Sequence, residues 1–170
     1  LHCTPGIGNL LLKQLISYCG SAQEVLKKPK GKLQKIPGIG ISTAETICSG
    51  IAFRQAEQEL RKAEKEDATI LLFTEKQYPS RLKAIDDAPA VLYFKGTCNL
   101  NHPKTVGIVG TRQATTYGKG VVEKIVEDLV PHQAMIISGL AYGIDIHAHK
   151  QSLKWKLPTI GVLGSGIDVI

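Results

Sequence analysis

The C-terminal half of the chain alternates strand-like apolar segments with helical patterns, and this alternation restricts the fold more than any other feature. The strand-like segments at 105–109, 134–137 and 158–163 each run into a glycine-containing turn, and helical patterns at 118–129 and 143–155 separate them. Alternating strands and helices predict right-handed βαβ units and a parallel sheet. The segments are nearly all apolar, as expected when helices cover both faces of the sheet. We therefore predict an α/β fold with a doubly wound, mostly parallel sheet, truncated because the chain stops soon after its last strand.

The N-terminal part of the chain has a different pattern, in which apolar residues recur at helical spacing. Leucines and isoleucines between residues 10 and 16 would lie on one face of a helix. Two more strand-like segments, 69–73 and 90–94, follow this helical part. We place the domain boundary after Glu66, which divides the chain into an all-helical module, 1–66, and an α/β domain, 67–170.

A five-residue segment occurs twice in the helical module, as Thr4–Gly8 and as Ile36–Gly40, and each copy contains Pro-Gly-Ile-Gly. Each precedes a helical pattern, which is typical of a helix–hairpin–helix, where glycines let the backbone turn tightly and approach a phosphate. Such a contact reads no base edges and would bind DNA regardless of sequence. The alternative is that the hairpins only pack two helices together, because neither turn contains a basic residue and Lys35 merely adjoins the second.

The composition limits the classes of protein to which the chain can belong. The chain is 43% hydrophobic and has neither a secretory leader nor an apolar run long enough to cross a membrane. Its four cysteines are widely spread without a CxxC pair, which argues against a zinc ribbon and favours free thiols in a reducing cytoplasm. The net charge of +6 fits a polyanionic partner, although solvated lysines would give the same value.

The turn after the 105–109 segment combines glycines, hydroxyl groups and a guanidinium group. In open α/β folds, ligands bind at the carboxyl ends of the strands. Arg112 has the geometry to pair bidentately with a phosphate there; the alternative is an ordinary surface arginine in a loop. The candidate DNA-binding residues of this turn are Gly110, Thr111, Arg112, Thr115, Tyr117 and Gly118.

Two further turns at strand ends add candidate residues. A helix begins near Gly143, after the second strand, and its dipole and free N–H groups would favour an anion. Asp145 is expected instead to cap this helix or hold the neighbouring loop, because a carboxylate repels phosphate. The candidate DNA-binding residues of these two turns are Ser138, Gly139, Gly143, Gly164, Ser165 and Gly166.

The remaining polar and aromatic residues do not indicate catalysis. His147 and His149 are two residues apart on a helix and point in different directions, so we expect no shared metal, and His149 should pack or bond near the loop. Tyr142 and Trp155 have rings that could stack on bases, although for Trp155 we favour packing in the fold. The sequence contains no Cys/His pair, nucleophile elbow, Walker loop or dinucleotide fingerprint. We predict no catalytic residue, metal or cofactor.

Taken together, these motifs resemble the DNA-processing protein A family (DprA, also called Smf). The resemblance covers nearly the whole chain, and the three core motifs in this order are specific to the family. The matching segments are Pro5–Gly8, Tyr18–Ser21, Ile36–Gly40, Tyr78–Leu82, Ala88–Tyr93, Val109–Arg112, Tyr117-Gly118, Ser138–Asp145 with Ala148-His149, and Val162–Asp168.

The resemblance implies a helix–hairpin–helix or SAM-like module at 1–66 and a Rossmann-like DNA-binding domain at 67–170 that lacks its C-terminal half. It also implies a cytoplasmic protein without enzymatic activity that binds single-stranded DNA and helps load RecA onto incoming strands in natural transformation. Family members work as dimers, and the parts that carry further DNA, dimer and RecA contacts are absent here. The fragment could therefore bind DNA weakly or fail to dimerise.

Two other functions are compatible with this fold. The first is a nucleotide-binding Rossmann enzyme similar to a phosphoribohydrolase, although such enzymes carry a Pro-Gly-Gly-x-Gly-Thr loop and a catalytic glutamate that are not found here. The second is a non-catalytic protein-interaction module, in which the hairpins are structural joints and partner binding does not depend on Arg112.

Overall fold

A computed structural model of the chain describes residues 1–169. The chain forms two compact units, which divide between Lys95 and Gly96. The first unit is mainly helical, and the second is an α/β unit built on a parallel sheet. None of the helices within residues 1–169 is both long enough and apolar enough to cross a membrane.

The first unit contains six helices and an antiparallel hairpin of two strands. The helices are α1 (Asn9–Cys19), α2 (Ala22–Lys27), α3 (Lys30–Leu33), α4 (Ile41–Cys48), α5 (Ile51–Lys65) and α6 (Ser80–Lys83). The strands are β1 (Thr69–Leu72) and β2 (Val91–Phe94), with Thr69 opposite Phe94.

The two copies of the Pro-Gly-Ile-Gly segment have the same backbone geometry. Gly6 and Gly38 both have a φ of +82°, a left-handed conformation that favours glycine. The isoleucine that follows each of them is buried in one shared helical core. Each copy ends where α1 or α4 begins, and neither helix has a side-chain cap at its N-terminus. The repeated sequence therefore builds the same hairpin twice.

The β1–β2 hairpin belongs to the first unit, whereas the predicted boundary after Glu66 includes its strands in the α/β domain 67–170. Ala90 and Val91 lie in or against the helical core, and the Ala90 N–H donates to Asn9 Oδ1 at 3.2 Å. Tyr78 lies in the segment that connects β1 to β2, and its side chain is buried. Its hydroxyl donates to the Pro89 carbonyl oxygen at 2.7 Å. These contacts place the boundary between the compact units about 30 residues later than the predicted boundary after Glu66.

The second unit is an α/β unit with a parallel sheet, as the alternating pattern predicts. Its strands lie in the order β3-β4-β5, and Val106 and Ile136 are register partners in the first pair. The strands are β3 (Thr105–Gly107), β4 (Met135–Ser138) and β5 (Thr159–Gly161), and the helices are α7 (Thr116–Leu129) and α8 (Ile144–Lys154), with a 3₁₀ turn at Val130–His132.

Both connecting helices lie on the same face of this sheet. Because each strand is added beside the previous one in the same direction, right-handed connections place α7 and α8 side by side. Their apolar residues form a single core with the central strand, represented by Val122, Val126, Ile136 and Ala148. A doubly wound sheet has a second helical layer, which residues 96–169 do not form.

Candidate nucleic-acid interface

Three loops follow the three parallel strands and lie at the same edge of the sheet. They comprise residues 108–115, 139–143 and 162–168. Because parallel strands end at one edge, the fold gathers loops that are far apart in the sequence. All twelve predicted DNA-binding residues lie in these loops, at the last position of β4 or in the first turn of α7.

The first two loops fit against each other through two glycines. A Cβ atom at Gly110 would lie 2.7 Å from the Cβ of Ile144. Gly143 has a φ of +88°, and a Cβ atom there would collide with the carbonyl oxygens of Thr111 and Arg112. The Ile144 N–H also donates to the Thr111 carbonyl oxygen at 3.1 Å. The two loops therefore form a continuous surface, and larger residues at either glycine would separate them.

The Asp145 carboxylate contacts both the first loop and the second loop. Its Oδ1 accepts a hydrogen bond from the Gly110 N–H at 3.3 Å, and a Cβ atom at Gly139 would lie 2.6 Å from its Oδ2. The residue is buried, with 8% of its surface exposed. Asp145 thus holds the neighbouring loop, as its charge suggested in the sequence. It also places a negative charge under the second loop, where it disfavours a phosphate.

The start of α8 offers an anion fewer donors than the sequence suggested. The Ile144 N–H is bonded to the Thr111 carbonyl oxygen, and the Ile146 N–H donates to the Ala141 carbonyl oxygen at 3.2 Å. Ser138 is also engaged, since its buried hydroxyl donates to the Ile108 carbonyl oxygen at 2.5 Å. These donors of the second loop and of the start of α8 are therefore already used within the protein.

The first loop presents donors that the protein itself does not use. Arg112 is exposed and has no hydrogen bond or ion pair with any residue in 1–169. Thr111 Oγ1 accepts from the Gln113 N–H at 3.2 Å, and Thr115 Oγ1 accepts from the Gly118 N–H at 3.1 Å. A hydroxyl that accepts in this way still has its own proton to donate. Both threonines are exposed, so these protons are available to a ligand.

The N-terminus of α7 adds backbone donors to the first loop. Thr115 is its N-cap and satisfies the Gly118 N–H, whereas the N–H groups of Thr116 and Tyr117 have no acceptor in the described part of the chain. Gly118 also lets the first turn approach α8, since a Cβ atom there would lie 3.4 Å from Ile144 Cδ1. A helix N-terminus of this kind favours negative charge.

The third loop is exposed and carries both a hydroxyl and a carboxylate. Gly164, Ser165 and Gly166 are all exposed. The Asp168 side chain turns back over Gly166, where a Cβ atom would collide with its Oδ1. The loop therefore adds one hydroxyl donor at Ser165 and one negative charge.

The histidines bond to different parts of the structure. His149 is buried, with Nε2 2.6 Å from the Gly139 carbonyl oxygen and Nδ1 2.7 Å from Thr159 Oγ1, so it supports the second loop. His147 Nε2 lies 3.0 Å from Glu123 Oε1 on α7. Among residues 1–169, no group of three or more His, Cys, Asp or Glu side chains is placed to hold a metal ion.

Two exposed tyrosines lie near the loops, whereas the tryptophan lies at the far end of α8. Tyr142 lies in the second loop and is 84% exposed, and Tyr117 lies in the first turn of α7 and is 82% exposed. Trp155 follows the last residue of α8, about 16 Å along the helix from the loops. Trp155, for which the sequence favours packing over stacking, thus lies far from the loops, whereas Tyr142 lies within one of them. The sequence feature that points to Tyr142 is its place within the glycine-containing turn that follows the second parallel strand.

Comparison with known proteins places these features in a family. The family model of DNA recombination-mediator protein A matches residues 69–170, more than half of the chain. Protein Smf of Synechocystis is 34% identical over 171 residues, which cover 97% of this chain and 42% of that protein. DNA processing protein DprA of Bacillus subtilis is 47% identical over 96 residues, which cover 56% of this chain and 32% of that protein.

A solved structure agrees with these sequence matches. The X-ray structure of DNA processing protein A from Streptococcus pneumoniae matches with a TM-score of 0.75 at 28% identity, and the match covers 98% of this chain and 56% of that one. The chain thus spans less than half the length of the two relatives above and little more than half of the solved chain. It belongs to the DNA recombination-mediator protein A family, which includes the proteins named DprA and Smf.

Proposed function

We propose that the first loop binds the phosphate backbone of single-stranded DNA. The observation that carries this proposal is the exposed Arg112 guanidinium, which has no partner among residues 1–169 and adjoins two threonine hydroxyls with unused protons. The unpaired N–H groups at the start of α7 add to these donors. A guanidinium, hydroxyls and helix-terminal amides are the groups with which proteins hold phosphate oxygens.

The charges around the three loops support a site centred on the first loop. Asp145 lies under the second loop and Asp168 turns back over the third, so both disfavour a phosphate close to them. Ser138, Gly139 and Gly143 would then act as the support of the site, while Ser165 would contact the strand farther along. All of these donors contact phosphate and none requires a particular base, so we expect binding without sequence preference.

The wider role follows from the family. In its full-length form, the protein would be a cytoplasmic homodimer without enzymatic activity that loads RecA onto incoming single strands during natural transformation. Support for this role comes from membership of the recombination-mediator family and from relatives named for DNA processing.

The first test is a titration of labelled oligothymidine with this chain and with Arg112→Ala, at several salt concentrations. We expect the variant to lose about tenfold or more in affinity at low salt, because it loses a charge-assisted contact. The slope of log affinity against log salt should become shallower by roughly 0.7, the value for one phosphate on a single strand. Arg54→Ala is the matched control, because Arg54 is also exposed but lies on α5 in the other unit.

The outcomes separate the possible roles of Arg112. Equal affinities for Arg112→Ala and Arg54→Ala would contradict a phosphate site in the first loop. Competition by AMP at concentrations where inorganic phosphate has no effect would favour a mononucleotide site over a DNA site. Equal affinity for duplex and single strand would leave a phosphate site but remove its preference for single strands.

A further inference from the structure

The side chain of Tyr142 projects into solvent from the second loop. Its exposed fraction is 84%, whereas the second residue after it, Ile144, is buried and Ala141 before it is partly buried. Tyr142 has no hydrogen bond, ion pair or ring contact with any residue in 1–169. The protein thus leaves a large ring in water at the edge of the sheet where the candidate phosphate donors lie.

The backbone brings Tyr142 close to Arg112. Tyr142 directly precedes Gly143, whose missing Cβ would come within 2.5 Å of the Arg112 carbonyl oxygen. Consecutive Cα atoms are about 3.8 Å apart, so Tyr142 begins one residue away from this contact. The ring and the guanidinium therefore extend from adjacent points of one surface.

The backbone on both sides of Tyr142 is held by hydrogen bonds. The Ala141 carbonyl oxygen accepts from the Ile146 N–H, and the Gly143 carbonyl oxygen accepts from the His147 N–H, each at 3.2 Å. A tyrosine side chain has only two rotatable torsions, so a ring on a fixed backbone loses little entropy when it contacts a ligand. These are favourable conditions for a contact through the face of the ring.

A second exposed ring adjoins the donors of the first loop. Tyr117 is 82% exposed, and its own N–H is one of the two unpaired amides at the start of α7. The loops that carry the phosphate donors thus also carry two exposed rings. Proteins that hold single strands combine phosphate contacts with rings on which bases stack, whereas the bases of a duplex are already stacked on each other.

We propose that Tyr142 is a base-stacking residue beside Arg112, and that it gives the site its preference for unpaired bases. This inference rests on the proposed phosphate site, and it assigns to Tyr142 the preference for single-stranded over double-stranded DNA. Arg112 holds the backbone irrespective of pairing, and Tyr142 contacts a base that only an unpaired strand can present. Tyr117 provides a second, weaker platform at the start of α7.

The experiment compares two probes of equal length and equal phosphate number, an oligothymidine and an abasic oligonucleotide. Wild type should bind the oligothymidine more tightly. Tyr142→Ala should lower its affinity for oligothymidine about tenfold, in the range of one lost base–ring stack, and leave the abasic affinity unchanged. Tyr142→Phe should behave as wild type, because it keeps the ring. Tyr18→Ala is the matched control, since Tyr18 is an exposed tyrosine on α1.

The possible results distinguish an error in the stacking role of Tyr142 from an error in the phosphate site. If Tyr142→Ala binds both probes like wild type, or weakens both equally, stacking by Tyr142 is wrong while the phosphate site stands, provided that Arg112→Ala still weakens both. If Tyr142→Phe loses as much affinity as Tyr142→Ala, the hydroxyl and not the ring makes the contact, and the proposal is wrong. If wild type binds neither probe at low salt, the phosphate site and the stacking role both fail.

Discussion

At the scale of single residues, the candidate site depends on side chains that are absent as much as on those present. Gly143 combines a φ of +88° with a position directly against two carbonyl oxygens of the first loop. The sequence predicts a glycine turn at this point, but it does not reveal that the turn contacts Thr111 and Arg112, more than 30 positions earlier. Asp145 is similar, because a carboxylate beside glycines suggests a cap and only the fold shows the bond to Gly110.

Replacing Gly143 should therefore affect folding of the whole second unit. We expect Gly143→Ala to lower its free energy of unfolding by about 2–3 kcal/mol, because the new Cβ meets both a strained backbone and the first loop. The protein has a single tryptophan, Trp155, which lies in this unit and reports its denaturant unfolding by fluorescence.

Gly120→Ala is the control for this substitution. Gly120 lies inside α7, has no left-handed φ, and has open space where a Cβ would be. Alanine there should stabilise the helix by about 0.5–1 kcal/mol. Equal stability of the two variants would contradict the close fit of the first two loops.

At the scale of elements, most helices and strands could be predicted, and the differences have local causes. The sequence predicts one helix from Ser42 through Ala52, whereas the structure has α4 and α5 separated by Gly50 with a φ of +74°. The basic segment after Lys27 contains Pro29 and Gly31 as expected helix breakers, yet the short helix α3 begins directly after Pro29, which is its N-cap. The strands β3 and β5 are shorter than predicted, because residues such as Val109 leave the sheet to form the loops, whereas β4 keeps its predicted length and is shifted by one residue.

The N-terminus of α7 permits a prediction that separates stability from binding. Thr115→Ala removes the cap on the Gly118 N–H and should cost about 1 kcal/mol of stability. Thr115→Asp keeps a capping oxygen but adds a negative charge where we place a phosphate. It should therefore unfold like wild type in denaturant and bind oligothymidine several-fold more weakly. Wild-type affinity for Thr115→Asp would place the phosphate away from α7.

At the scale of the whole molecule, the alternating pattern predicts the α/β class but not the grouping of its parts. The β1–β2 segments have the apolar character of strands in the sheet, and nothing local indicates that they pair antiparallel and pack on helices. That grouping depends on long-range contacts such as the bond from the Ala90 N–H to Asn9. The order of strands is also not visible in sequence, so the placement of α7 and α8 on one face could not be predicted.

The first unit should lose stability in alkaline solution partly through Tyr78. Burial raises the pKa of Tyr78 above its ordinary value of 10, because the folded state favours the neutral phenol. This contribution is fully present below pH 10 and is lost as the pH rises through the folded-state pKa. Tyr78→Phe should be about 1 kcal/mol less stable at neutral pH, since the Pro89 carbonyl loses its donor.

The difference between wild type and Tyr78→Phe should then shrink above pH 10. Thermal unfolding followed by far-UV circular dichroism at pH 7 and at higher pH measures it. Tyr93 and Cys3, whose pKa values are also raised mainly by burial, remain in both proteins, so the difference isolates Tyr78. A constant difference across this range would show that the phenol ionises without any effect on folding.

The carboxylates of Asp145 at the second loop and Asp168 in the third have a consequence for the number of nucleotides that one copy can bind. If the proposed site in the first loop binds DNA, Asp145 and Asp168 in the neighbouring loops would restrict the attractive surface of one copy to a few nucleotides around Arg112. Such a small contact would give low affinity and fast dissociation. Tight binding would then arise from avidity, in which several copies hold one strand and the distance between their sites sets the effective concentration.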